Sequence, residues 1–94
     1  MTETPEARIK RMKMRSMRRG IKEMDLILSG FADRMLDGLS EDDLSIYDAL
    51  LSENDHDLYQ WVSGQTSTPP QYLDIMTRIA ACQRESVGKD PSAV

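Results

Sequence analysis

Apolar residues recur at helical spacing along most of this chain. The clearest stripe predicts a helix over residues 21–36, with Met24, Ile27, Leu28, Phe31 and Met35 on one face and Leu26 and Leu36 widening it. Similar stripes predict helices that open at Ser40, run through Leu58 and Trp61, and follow Thr68-Pro69. No segment shows sustained alternation of period two, so no strand is predicted. The pattern predicts an all-α fold, a small bundle of about five helices.

A first helix is predicted to open at Thr4-Pro5, with Thr4 as N-cap and Pro5 at the first helical position. Its apolar face is thin and depends on Ile9, Met12 and Ser16 or Met17. Because such a helix is marginal alone in water, we expect it to dock onto the rest of the chain or to order on binding a partner.

The length of 94 residues allows one domain with one core. We assign residues 1–85 to a single helical domain with a basic N-terminal helix. Residues 86–94 are rich in Gly, Lys, Asp, Pro and Ser, which predicts a disordered tail. So short a chain has little room to enclose a dinucleotide, which argues against an enzyme with its own cofactor fold.

Charge is divided unevenly along the chain. Residues 1–22 contain eight Lys/Arg and two Glu, whereas residues 23–94 contain four Lys/Arg and fourteen Asp/Glu. A basic segment on an acidic body fits a partner with an anionic patch, and it equally fits a segment that folds back onto its own body.

The residues that usually carry chemistry are sparse. One Cys and one His exclude an internal disulfide and a structural zinc site, and no phosphate-binding loop, G-x-G-x-x-G or Cys-x-x-Cys is present. We interpret His56 as a solvated or capping residue, Cys82 as a small apolar filler, and the aromatic residues as core. Catalytic, metal-binding and cofactor-binding residues are therefore not expected.

The N-terminal segment lacks an apolar core, and no apolar run approaches the roughly 18 residues of a membrane span. We expect no membrane insertion, no secretory signal and no transit peptide. The basic helix could neutralise phosphates, but it lacks aromatic or Asn/Gln residues for reading bases, and the acidic body would repel a polyanion. We expect no nucleic-acid partner and keep a nucleic-acid or regulatory binding module as an alternative.

The junction between the first two helices, residues 15–25, is the candidate recognition surface. Gly20 is predicted to be the N-cap of the second helix, which would place Glu23 at its third helical position. The charged residues Arg18, Arg19, Lys22, Glu23 and Asp25 crowd around this glycine. One interpretation is helix capping with an Arg19–Glu23 pair at i, i+4. The other is a partner surface, where the absent side chain at Gly20 lets a partner backbone approach.

The run Arg19-Gly20-Ile21-Lys22-Glu23 resembles the R-G-x-x-E motif of the succinate dehydrogenase flavinylation factors, small assembly factors of bacteria and mitochondria. The similarity covers roughly residues 8–83. Besides Arg18 it takes in the segments Met24-Asp25-Leu26-Ile27-Leu28, Ser40-Glu41-Asp42-Asp43-Leu44, Tyr47-Asp48-Ala49-Leu50-Leu51 and Asp55-His56-Asp57-Leu58-Tyr59-Gln60-Trp61.

The resemblance implies a five-helix bundle that promotes covalent attachment of FAD to a histidine of the flavoprotein subunit of succinate dehydrogenase and, in many bacteria, of fumarate reductase. It places partner binding at Arg18, Arg19, Gly20, Glu23 and Asp25. We expect a monomeric, non-enzymatic chaperone that binds no FAD itself, with direct delivery of FAD as the alternative. On this hypothesis Arg19 pairs with a partner carboxylate or carbonyl, and Glu23 accepts from partner donors. We expect a bacterial cytoplasm rather than a mitochondrial matrix.

Overall fold

The computed structural model describes residues 3–88, with side chains described as far as Arg84. Five α-helices follow one another: α1 Pro5–Arg15, α2 Lys22–Met35, α3 Glu41–Leu50, α4 Asp55–Val62 and α5 Leu73–Gly88. Short 3₁₀ turns at Leu36–Gly38 and Pro70–Tyr72 follow α2 and precede α5. The predicted all-α bundle is confirmed. Within residues 3–88, no helix is both long enough and apolar enough to cross a membrane.

Capping side chains fix several of the helix starts. Thr4 Oγ1 accepts from the Ala7 amide at 3.1 Å, Ser40 Oγ from the Asp43 amide at 3.2 Å, and Asn54 Oδ1 from the His56 amide at 2.8 Å. The Thr4 and Ser40 caps are confirmed. The fifth helix starts later than predicted, because Pro69 remains extended and Pro70–Tyr72 form a 3₁₀ turn first.

The core lies where α2 packs against α1, α4 and α5. Met24, Leu28, Phe31 and Leu36 supply the α2 side of it and are fully buried. Two members of the predicted stripe face outward instead: Leu26 is 65% exposed and Met35 is 38% exposed. The predicted stripe was therefore too wide, because the α2 core face runs along residues 24, 28, 31 and 32.

The basic first helix docks onto the body. Its residue Met12 and its C-cap Ser16 are fully buried, and Ile9 is partly buried against the core. Ser16 Oγ lies 2.6 Å from Tyr47 Oη and donates to the Met12 carbonyl at 2.8 Å. The buried hydroxyls are thus hydrogen-bonded, and burial raises the pKa of Tyr47 to about 12. The charge asymmetry allowed a basic segment that binds an anionic partner or one that folds back onto its own acidic body. In the structure this helix is folded back.

The C-terminal end of the chain differs from the expectation in one respect. Helix α5 continues to Gly88, past the point where residues 86–94 were expected to form a tail. The remaining part of that predicted tail, residues 89–94, lies outside the described residues.

Candidate functional site

The seam between α1 and α3 is a row of ion pairs that involves arginines 8, 11 and 15. Arg8 donates to Glu41 at 2.8 Å and to the Ser45 hydroxyl at 2.9 Å. Arg11 holds Asp48 through two parallel bonds of 2.9 Å. Side chains spaced one helical turn apart on α1 thus meet side chains spaced one turn apart on α3.

Arg15 completes the seam by donating to Asp48 and to the Ser52 hydroxyl, both at 2.9 Å. The hydrogen bond from Arg11 holds the pKa of Asp48 below its ordinary value of 3.8, since an ionised carboxylate is the better acceptor. These three arginines of the basic segment are therefore paired with the chain's own acids. Their pairing weakens the nucleic-acid alternative, which nothing else tests.

Arg19, the first residue of the motif, points into the protein and binds groups of the chain itself. Its Nε donates to Asp55 Oδ1 at 2.7 Å, and its Nη1 donates to the carbonyls of Arg15 and Leu51, both at 3.1 Å. Its Nη2 reaches the Glu53 carbonyl at 3.4 Å. Only 12% of the side chain is exposed. The guanidinium thus joins the end of α1, the end of α3 and the start of α4, where carbonyls at helix C-termini favour a cation.

Gly20 contacts the same aspartate. Its N–H donates to Asp55 Oδ2 at 2.6 Å, so that one carboxylate binds Arg19 and Gly20 together. A Cβ at position 20 would lie 3.1 Å from Asp55 Oδ2. The φ angle of Gly20 is outside the left-handed region, so close approach explains the glycine and backbone conformation does not. We call Arg19, Gly20 and Asp55 the latch.

Arg18 has a different environment. It is exposed, and its φ of 56° places it in the left-handed region, which is unfavourable for a residue with a side chain. Among residues 3–88 it forms no salt bridge. The latch fixes the next two residues and so holds Arg18 in this conformation with its guanidinium in solvent.

The start of α2 presents the other charged residues of the junction. The N-cap of α2 is Ile21, and the prediction that Gly20 takes this place is wrong by one residue. Glu23 is therefore the second helical residue rather than the third. Lys22 and Glu23 are exposed, and Asp25 is half-buried. The Arg19–Glu23 pair offered by the capping interpretation is not formed, because Arg19 binds Asp55 instead. Glu23 and Asp25 remain well placed beside the positive end of α2.

Apolar surface borders Glu23. A shallow groove between α2 and α4 is lined by Glu23, Leu26, Ile27, Tyr59, Val62 and Gln83, among others. Leu26 is one turn after Glu23 and is the most exposed large apolar side chain in the described chain. Leu26 and Glu23 thus lie side by side as exposed residues of α2 on the border of this groove.

The remaining candidate residues have structural environments. Trp61 and Tyr72 pack with ring centroids 5.9 Å apart, and Cys82 is buried. Sequence reasoning assigned no role to Asp55, whose segment was named only as part of the family resemblance. Its partners lie 35 and 36 positions away, and nothing in the local sequence indicates that pairing.

Comparison with known proteins found curated relatives named as mitochondrial succinate dehydrogenase assembly factor 2. The chain is 46% identical to that of Drosophila grimshawi over 72 residues, which cover 73% of this chain and 49% of the relative. It is 41% identical to that of Schizosaccharomyces pombe over 70 residues, which cover 74% of this chain and 50% of the relative. The chain thus spans about half the length of these relatives.

These names correct one expectation. The predicted bacterial cytoplasmic location is wrong, since the relatives are named as mitochondrial proteins and point to mitochondria. That prediction depended on the absence of a presequence. This chain spans about half the length of its relatives, so the position of its first residue carries no information about a leader sequence.

A comparison with family models gave a match over residues 10–83 to a family described as flavinator of succinate dehydrogenase. This range includes the junction, the latch and the seam from Arg11 onwards. The match confirms the resemblance carried by the R-G-x-x-E motif, and the chain therefore belongs to the flavinator of succinate dehydrogenase family.

Proposed function

We propose that this protein binds the flavoprotein subunit of succinate dehydrogenase through the junction and promotes covalent attachment of FAD to that subunit. Family membership supports the kind of partner. The observation that supports the location is the exposure of Arg18, Lys22 and Glu23, which form no ion pair within the described chain although most neighbouring arginines do.

The proposed role is that of a chaperone, with the bond-forming chemistry left to the flavin and the partner's histidine. Holding the flavoprotein so that these two groups stay in reach of each other accelerates their reaction by proximity. Such a role requires a rigid contact surface. The junction offers one, because the latch fixes the backbone that leads into α2.

The residues of the motif divide into two groups under this proposal. Arg18 and Glu23 contact the partner, Arg18 as a donor to carboxylates or carbonyls and Glu23 as an acceptor. Arg19 and Gly20 act by shaping the surface, because their own hydrogen bonds are made inside the chain. Asp25, half-buried in the first turn of α2, supports the helix start beside Glu23.

In vitro flavinylation tests this proposal. The apo flavoprotein subunit is mixed with FAD, with and without this protein, and flavin fluorescence retained on the denatured subunit is measured. We expect enhancement that is lost in Arg18→Glu and Glu23→Ala variants whose circular dichroism is unchanged. Enhancement that persists in both variants would place the contact elsewhere. The same assay with the apo fumarate reductase subunit asks whether that subunit is also accepted.

A titration of FAD with the isolated protein distinguishes chaperoning from delivery. We expect no quenching of flavin fluorescence at micromolar protein. Saturable quenching would instead favour direct delivery of FAD. Light scattering of the same sample tests the expected monomer.

A further inference from the structure

Asp55 lies outside the R-G-x-x-E motif, yet its two carboxylate oxygens each bind one of the first two residues of that motif. Oδ1 accepts from Arg19 Nε at 2.7 Å, and Oδ2 accepts from the Gly20 amide at 2.6 Å. The Asp55 side chain is only 18% exposed. A carboxylate that accepts from a guanidinium and a backbone amide fixes both donors in direction as well as distance.

The latch also connects helix ends that are distant in sequence. Asp55 is the first residue of α4, and Gly20 lies two residues before α2. Arg19 adds the carbonyls of Arg15 and Leu51, at the ends of α1 and α3. The Asp55 carboxylate therefore fixes the two residues that follow Arg18 against the start of α4.

We propose that Asp55 is the positioning residue of the interaction surface: it holds the junction in the conformation that presents Arg18 and Glu23 to the flavoprotein. This inference rests on the proposed function. It assigns to Gly20 a role in which the missing side chain makes room for Asp55 and not for the partner's backbone. Arg19 is then the internal counter-ion of Asp55 and does not bind the partner's carboxylate.

A double-mutant cycle between Gly20 and the Arg19–Asp55 pair distinguishes these two roles of the glycine. A Cβ at position 20 would lie 3.1 Å from Asp55 Oδ2, so the carboxylate would have to shift by a few tenths of an ångström and its short bond to the Gly20 amide would be disturbed. Gly20→Ala should therefore raise the dissociation constant for the flavoprotein about tenfold in the wild-type background and less than about twofold in a background that already carries both Arg19→Ala and Asp55→Ala. Equal, additive effects in both backgrounds would mean that the partner itself approaches Gly20, and would overturn the inference.

Asp48→Asn is the matched control for Asp55→Asn. Asp48 is also a partly buried aspartate that binds arginines of the N-terminal segment, at 2.9 Å, but its partners Arg11 and Arg15 lie on the seam and not in the latch. Both variants should lower the melting temperature. Only Asp55→Asn should weaken flavoprotein binding, by about tenfold or more. A similar loss of binding in both variants would show a general effect of stability and would contradict positioning.

Removing Asp55 alone leaves the Arg19 guanidinium unpaired and mostly buried, which could unfold the chain. The double variant Arg19→Ala/Asp55→Ala removes both charges. It should remain folded and still bind the flavoprotein about tenfold more weakly than wild type. Wild-type affinity in this folded double variant would overturn the inference.

The NMR resonance of the Gly20 amide proton can be measured in the free protein. It therefore tests the latch independently of the proposed function. We expect a large upfield shift of this N–H, and faster exchange with solvent, in Asp55→Asn but not in Asp48→Asn. An unchanged resonance would overturn the latch whatever the binding result. A shifted resonance with unchanged flavoprotein binding would overturn positioning alone. No binding by the wild-type protein would overturn the proposed function, and the positioning role with it.

Discussion

The seam and the junction are built from the same kinds of side chain, and they differ in where the opposite charges lie. Along the seam, Arg11 and Arg15 share Asp48, so the charges are satisfied within the fold. In the junction Arg19 is paired with Asp55 in the latch, while Arg18 and Glu23 are exposed to solvent. One continuous basic run thus contains a structural part and an available part. The difference shows that arginines close together in sequence are not equally available to a partner.

The largest expected effect is on stability, through the packing of α1 against the rest of the bundle. Met12 is the buried residue of α1, and Met12→Ala should lower the free energy of unfolding by about 2–5 kcal/mol through lost burial and a cavity. Urea denaturation followed by circular dichroism measures it. Met14→Ala is the control on the same helix, since Met14 is 61% exposed and its truncation should cost less than about 0.5 kcal/mol. Equal costs would mean that α1 is not docked as described.

The next effect is on the available part of the junction. Glu23→Ala should raise the dissociation constant for the flavoprotein about tenfold, or about 1.4 kcal/mol, because a partner donor loses its acceptor. Fluorescence anisotropy of the labelled protein measures it. Asp42→Ala is the control, since Asp42 is also an exposed acid in the first turn of a helix. Equal weakening by Asp42→Ala would point to net charge rather than to a specific contact.

Acid should weaken the seam. The pKa of Asp48 is lowered from 3.8 by its hydrogen bond with Arg11, so its contribution to stability is present above pH 3.8 and is lost as the pH falls through the lowered pKa. Asp48→Asn should cost about 1 kcal/mol at pH 7 and flatten this part of the acid dependence. Unfolding free energies measured from pH 7 down to pH 2 check it. Asp33→Asn, at an exposed acid on α2, is the control variant.

The helical pattern predicted most of the fold, because helix starts and buried stripes are local signals. Thr4 and Ser40 cap as expected, and Met24 and Phe31 lie in the core. Leu26 and Met35 were misplaced, since periodicity does not show how wide a face the neighbouring helices cover. The motif indicated the junction. It could not show that Arg19 is internal, because that depends on Asp55, which is brought close only by the packing of α4.

The smallest expected effect concerns the apolar border of the junction. Leu26 is largely exposed, so Leu26→Ser should change the free energy of unfolding by less than about 0.5 kcal/mol. It should still raise the dissociation constant for the flavoprotein about threefold, through lost apolar contact. Leu73→Ser is the control, because Leu73 is 56% exposed at the start of α5. Anisotropy titrations of both variants decide whether the contact extends along α2 from Glu23.

Hydrogen exchange measured by mass spectrometry, with and without the apo flavoprotein subunit, tests the division between seam and junction most directly. We predict slower exchange on binding in peptides that cover residues 17–27, because the partner covers the start of α2. Peptides of the seam, residues 8–15 and 41–52, should exchange at the same rate in the free and the bound protein. Protection confined to the seam, or faster exchange there on binding, would mean that the partner replaces the internal ion pairs and would contradict the account.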